Sequence, residues 1–200
     1  MKAGIVDYRM GNLASISKAL EAVGARVTVS DAHAELADSD LLVLPGVGNF
    51  AAGMANINRL GLRAFIGDWA HSGKPLLGIC LGMQLLFDSS EEGESDGLGV
   101  LKGRVVRLPA GMKVPHMGWN TVDVADHEAG PLKGLDGRSF YFVHSYVCVP
   151  DASIVSATTE YGMTFASAIR SGAITGFQFH PEKSSADGVE LLRGTLMVAA

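Results

Sequence analysis

The sequence predicts an α/β fold: a mixed, mostly parallel sheet flanked by helices, with a β-rich C-terminal half. Three observations carry this expectation. The first half alternates short Leu-rich or β-branched runs with longer stretches of helical periodicity, the habit of parallel strands joined by helices. From Val100 onward the runs are shorter and strand-like. Finally, 200 residues, 48% of them hydrophobic, suffice for one compact domain, residues 1–200, needing neither disulfide nor metal for stability.

Element by element, residues 2–7 read as a strand. Residues 12–23 follow as a helix, with Leu13, Ile16, Ala19, Leu20 and Val23 on one face and Gly24 as its stop. Residues 26–29 and 41–44 supply further strands, 50–71 one or two helices broken near Gly61, and 75–79 a buried strand. The polar, Gly-containing stretch 89–97 reads as a loop. Strands are expected over residues 104–108, 139–149, 154–158, 164–170 and 173–179. A closing helix over 185–197 has Val189, Leu192 and Leu196 at helical spacing.

Charge and composition narrow the function. The net charge is −5, and the Lys and Arg residues are scattered rather than clustered, which disfavours nucleic acid as a partner. Charge arrives too early at the N-terminus for a signal peptide, and the apolar stretch 75–87 falls short of the roughly 20 residues that span a bilayer. The expectation is a cytoplasmic protein without a membrane segment. Cys80 and Cys148 have no CxxC or Cys/His ligand spacing, so neither a structural zinc nor any other metal or cofactor is expected.

Cys80 carries the chemistry. Gly78-Ile79-Cys80-Leu81-Gly82 follows an apolar strand and precedes a helical run over 83–87, the thiol form of a nucleophile elbow. At a helix N-terminus, free N–H groups and the dipole favour thiolate over thiol, and the Leu81 N–H would face a developing oxyanion. A lone cysteine is most often a small buried hydrophobe, the reading kept for Cys148 inside Tyr146-Val147-Cys148-Val149. Two flanking glycines set Cys80 apart.

A thiolate nucleophile needs a proton carrier, usually a histidine held by a carboxylate. His180-Pro181-Glu182 closes the strand Gly176-Phe177-Gln178-Phe179, where residues two apart in extended chain point to one side. On its own His-Pro-Glu is equally a solvated turn. His33, His71 and His127 read as surface residues, whereas His116 and His144 divide between a core or interface role and a functional one. Gly46-Val47-Gly48 follows a strand directly, so its backbone N–H groups can face an oxyanion, although a tight turn would look the same. Neither a dinucleotide-binding nor a P-loop pattern is present.

Taken together, Pro45-Gly46-Val47-Gly48, the run from Gly78 to Gln84 and His180-Pro181-Glu182-Lys183-Ser184 resemble the class I, or triad, glutamine amidotransferases. Asp7-Tyr8 with Gly11-Asn12-Leu13, Pro115-His116-Met117-Gly118-Trp119-Asn120 and the run from Tyr141 to Tyr146 resemble one branch of that family, the glutaminase subunits of imidazole glycerol phosphate synthase. The resemblance implies the family's flavodoxin-like fold. It also implies Cys80 as nucleophile, His180 as base then acid, and Glu182 as orienting carboxylate. Gly46, Val47, Gly48 and Leu81 match the oxyanion positions, and Gln84, His144, Ser145 and Tyr146 those that hold substrate glutamine. The implied partner is a (β/α)₈-barrel imidazole glycerol phosphate cyclase subunit, joined as a heterodimer and supplied with ammonia through a tunnel. Two departures stand out. Ser185 replaces a customary glutamine, and Arg9 stands where the family usually has glycine, a replacement costing about 1–3 kcal/mol if that position needs positive φ.

Overall fold

In the structure, a computed structural model that describes residues 1–125 and 130–199, the strands and helices of the first half alternate as the pattern requires. In chain order they are β1 (Lys2–Val6), α1 (Leu13–Ala22), β2 (Arg26–Ser30), α2 (His33–Leu36), β3 (Leu41–Leu44), α3 (Phe50–Arg59), α4 (Leu62–His71), β4 (Leu76–Ile79) and α5 (Leu81–Gln84). There follow β5 (Ser89–Ser90), β6 (Ser95–Asp96), β7 (Gly103–Arg107), β8 (His116–Thr121), β9 (Asp123–Val124), β10 (Ser139–His144) and β11 (Tyr146–Pro150). The chain closes with β12 (Val155–Glu160), β13 (Thr164–Ser171), β14 (Ile174–Phe177) and α6 (Ser185–Val198).

The central sheet has eight strands in the order β2-β1-β3-β4-β14-β13-β12-β9. Strands β2 to β14 of that order are mutually parallel, and β13, β12 and β9 extend it antiparallel. The inner parallel strands β3 and β4 are apolar and buried throughout because both faces are covered, whereas the edge strand β2 is mostly exposed. Side chains alternate between faces: Leu41, Val43, Leu77 and Ile79 join one buried cluster with Ile16, Leu20 and Leu192, whereas Leu42, Leu44 and Leu76 join another with Met54, Ile57 and Ile66. Gly61, in a left-handed conformation (φ 68), separates α3 from α4, where the break was expected. No helix among the described residues is long and apolar enough to cross a membrane.

The β-rich half departs from its sequence reading in several places. The stretch 139–149 is not one strand: β10 pairs with β8 in a two-stranded sheet, the chain turns at Ser145, and β11 pairs with β7 in a four-stranded sheet. The polar loop 89–97 holds β5 and β6, which pair with each other, so backbone hydrogen bonds rather than side-chain character form that corner. Strands β8 and β9 and the one-turn α2 were not foreseen. In α6 the buried face is Gly188, Leu191, Leu192, Thr195 and Leu196, with Val189 at its margin.

Candidate active site

Strands β1, β3, β4 and β14 are neighbours and parallel, so their carboxyl ends lie along one edge of the sheet. Open α/β sheets bind ligands along such an edge. The loops leaving it here carry Tyr8 and Arg9, Pro45 to Gly48, Cys80, and Gln178 to Glu182.

Cys80 forms the sharp turn between β4 and α5, with φ 52 and ψ −110, a backbone region that costs a non-glycine residue about 1–3 kcal/mol. Its N–H donates to the Phe177 carbonyl (2.7 Å) and its own carbonyl accepts from Gln84 N–H (3.1 Å), which hold the turn from both sides. Close packing explains the flanking glycines. A Cβ at Gly78 would stand 2.7 Å from Met83 Cα, and one at Gly82 would stand 1.7 Å from the Leu44 carbonyl oxygen. The helix therefore begins at Leu81, two residues before the expected run. As its first residue, Leu81 has no acceptor within the helix for its N–H.

His180 is almost fully buried and its N–H donates to the Tyr141 carbonyl (2.9 Å). Its Nδ1 meets Glu182 Oε1 at 2.8 Å. The route differs from the one inferred: β14 ends at Phe177, and Pro181–Lys183 form a single 3-10 turn, so a turn rather than extended chain brings imidazole and carboxylate together. With Nδ1 engaged, Nε2 is the edge left for proton transfer; it and Glu182 Oε2 are buried without a hydrogen-bond partner. Burial opposes the imidazolium, but the adjacent Cys80 sulfur and the Glu182 carboxylate outweigh it and raise the His180 pKa to about 10.

The glycine loop lies against this corner. Pro45, Gly46 and Val47 line a cavity of about 10 Å³ together with Asn12, His180 and Glu182. A Cβ on Gly46 would come within 2.7 Å of Leu81 Cβ and 2.9 Å of Gly82 N, so the loop packs directly on the elbow. Gly48 has φ 120, and a Cβ there would meet Met10 Cε at 2.6 Å. The fully buried Tyr8 hydroxyl donates to the Pro45 carbonyl and braces the loop from beneath.

Gln84 is buried, not a helix-surface residue: its Nε2 donates to the Tyr146 carbonyl and to Gln178 Oε1, each at 3.0 Å. His144 Nδ1 meets the same Tyr146 carbonyl at 2.9 Å, and His144 Nε2 lies 3.0 Å from His116 Nδ1. These two histidines are directly paired across β10 and β8. The Ser145 carbonyl accepts from Leu108 N–H (3.0 Å). Cys148 is core, as read, and burial pushes its thiol pKa up. His33 and His71 are exposed; His127 lies outside the described residues. Among the described residues no group of three or more His, Cys, Asp or Glu side chains is placed to hold a metal ion. Sequence reasoning missed Gln178, fully buried with its Nε2 3.6 Å from Cys80 Sγ. A carboxamide between Phe177 and Phe179 in an apolar run was the available signal.

Arg9 has φ 66, the left-handed conformation foreseen for a glycine position. Its backbone N–H and guanidinium bind Asp7 (2.9 and 2.5 Å) and its Nη2 binds Asp31 (2.6 Å), so two carboxylates offset the strain.

A cysteine on a strand-to-helix elbow, a buried His–Glu pair and a glycine loop share one sheet edge, an arrangement compatible with a triad hydrolase. The chain belongs to the class I glutamine amidotransferases, whose family pattern it matches over residues 4–198. Its relatives are more specific. It is 52% identical over 192 residues to the imidazole glycerol phosphate synthase subunit HisH of Moorella thermoacetica, covering 94% of this chain and 91% of the relative. It is 50% identical over 196 residues to the subunit of the same name from Aquifex aeolicus, covering 96% and 94%. A crystal structure of a glutamine amidotransferase superposes with a TM-score of 0.79 at 21% identity over 98% of both chains, a likeness of fold.

Proposed function

We propose that the whole chain, residues 1–200, acts as one amidotransferase domain. It hydrolyses glutamine and delivers the ammonia to an imidazole glycerol phosphate cyclase in histidine biosynthesis. The observation that carries this reading is the buried His180–Glu182 pair, 2.8 Å apart, on the same sheet edge as the Cys80 elbow.

The Cys80 sulfur attacks the carboxamide carbon of glutamine, forming a C–S bond. Charge developing on the oxygen is stabilised by the Leu81 N–H and by the loop of Gly46, Val47 and Gly48. Nε2 of His180 gives its proton to the departing nitrogen as the C–N bond breaks, and ammonia leaves. His180, now neutral, takes a proton from water, whose oxygen attacks the thioester. Collapse yields glutamate and returns the thiolate. Glu182 keeps Nδ1 protonated and the ring in place throughout. Gln84 and the segment His144, Ser145 and Tyr146 form the wall against which the substrate lies. Gln84 Nε2 is already engaged, which leaves Oε1 to accept from the substrate.

The partner reading is a (β/α)₈-barrel cyclase subunit in a heterodimer, receiving ammonia through a tunnel. Two exposed apolar side chains on β8, Met117 (61%) and Trp119 (54%), support a docking face there. Trp119 stands edge-on to Tyr141, ring centroids 6.3 Å apart, and the Tyr141 carbonyl accepts from His180 N–H. That face is therefore one residue from the triad. A cytoplasmic location agrees with two free cysteines. Replacing Cys80 by serine is expected to abolish glutamine-dependent synthesis in the reconstituted complex while ammonia-dependent synthesis survives. Undiminished glutaminase activity in that variant refutes the assignment.

A further inference from the structure

A fully buried carboxamide needs partners, because leaving its polar atoms unpaired costs about 1–3 kcal/mol. Gln178 has two side-chain partners: its Oε1 accepts from Gln84 Nε2 (3.0 Å) and its Nε2 donates toward Cys80 Sγ (3.6 Å). The orientation of this amide follows from the proton inventory. The Tyr146 carbonyl can only accept, so the group Gln84 turns toward it is its NH₂, and that same NH₂ can only donate to Gln178. Oxygen at Gln178 therefore faces Gln84, and the N–H group faces sulfur.

Beyond Gln84 the polar contacts continue, and the donor direction reverses at the Tyr146 carbonyl, which accepts from both sides. His144 Nδ1 also donates to the Tyr146 carbonyl, so its neutral ring presents a bare Nε2 to His116 Nδ1–H. His116 Nε2 in turn faces Asn120 Nδ2 at 3.4 Å, and Asn120 donates to the Glu160 carbonyl at 2.9 Å. Gln84 and His144 thus both donate to the Tyr146 carbonyl, and it is this acceptor that sets the direction of the Gln84 NH₂.

We propose that Gln178 is a further residue of the reaction: its carboxamide N–H group holds the Cys80 sulfur and favours its anionic form, with Gln84 and the Tyr146 carbonyl fixing its orientation. A neutral thiol is a weak acceptor, whereas a hydrogen bond to a charged acceptor is roughly twice as strong as a neutral one. The donor is therefore worth most to the state that attacks. Its effect is separate from that of His180, which supplies charge and a transferable proton.

This inference rests on the reading of Cys80 as nucleophile, and one experiment separates the two. The full chain is alkylated with iodoacetamide across pH, with Cys80 and Cys148 followed individually by mass spectrometry. Preferential alkylation of Cys80 is expected; if it reacts no faster than buried Cys148, the nucleophile reading itself fails. The titratable groups coupled to Cys80 are His180, Tyr8 and Cys148, and all are retained in the variants. Gln178→Leu, which removes the donor, is expected to move the midpoint of the Cys80 profile upward by about one pH unit. The isosteric Gln178→Glu, which places a like charge beside sulfur, is expected to move it further. In the complex, kcat for glutamine should fall with each variant while KM changes little. In the unmodified protein, the Gln178 side-chain N–H resonances should shift with the Cys80 titration and stay still in Cys80→Ala, a measurement independent of how the Gln178 variants fold. A native alkylation profile in a folded variant, or amide resonances indifferent to Cys80, overturns the proposal.

Discussion

Two buried histidines in this protein have their pKa values driven in opposite directions. Just beyond β14, His180 has its pKa raised to about 10. At the end of β10, His144 stays neutral, its pKa pushed down to about 3. Burial acts in the same direction on both, against the charged ring. Their partners separate them. His180 faces a carboxylate and the Cys80 sulfur, whereas His144 faces a backbone carbonyl and the neighbouring His116, with His180 itself adding a repulsive positive charge. The His180 corner thus collects negative charge, and the adjoining wall is kept electrically quiet.

Removing the negative partner should break the contrast most severely. Glu182→Gln preserves shape but takes the charge from Nδ1, and glutamine-dependent turnover in the complex is expected to fall on the order of a hundred- to ten-thousandfold. The basic limb of the pH–rate profile should move toward lower pH as the imidazolium loses stabilisation. Unchanged turnover would mean that Glu182 does not orient His180.

Stability against pH sharpens the same contrast because the two rings contribute with opposite sign. The unfolded chain protonates His144 near its ordinary 6.5 while the fold resists until about 3, so stability is lost as pH falls through that window. The His116 pKa is also lowered by burial and adds to the loss. His180 behaves conversely: its contribution is complete below 6.5 and disappears as pH rises through about 10. In His144→Gln, the decline of the urea midpoint between about pH 6 and pH 4 should flatten. If the slope matches that of the native protein, His144 is not the group resisting protonation.

The smallest effect is expected outside both regions. Arg9→Gly removes left-handed strain of about 1–2 kcal/mol but forfeits two partly exposed ion pairs and adds chain entropy, so the stability change should be within about 1 kcal/mol. Glutaminase activity of the free chain should be unaffected. A large loss of coupling to the partner would show that the loop around Arg9, which packs on the glycine loop through Met10 and Gly11, transmits docking.

The two halves of the chain also differ in how far their structure could be read in advance. Strands β1, β3 and β4, helix α1 and the break at Gly61 follow from apolar runs and helical periodicity, because elements buried on both faces of a parallel sheet write their surroundings into their composition. Strand β8 could not be found this way. Its apolar Met117 and Trp119 face outward and its polar His116 and Asn120 make tertiary hydrogen bonds, so its hydrophobic pattern does not mark a core. For the same reason the run 139–149 gave no sign that it divides at Ser145 between two sheets.

Cys80 could be identified from its own neighbours, since glycines at 78 and 82 are needed where a strand turns sharply into a helix and the requirement is local. His180 and Glu182 were identifiable as residues, but their alliance with Cys80 depends on β14 lying beside β4, a pairing of segments about a hundred residues apart. Protonation is decided at that level too. A carboxylate at 2.8 Å and a sulfur from another loop raise the His180 pKa against burial, and Gln84, itself held by the Tyr146 carbonyl, fixes the face Gln178 shows to Cys80. Local sequence specifies which groups are available and which turns they sit on. Their charges and orientations depend on long-range contacts that form only when the sheet closes over them.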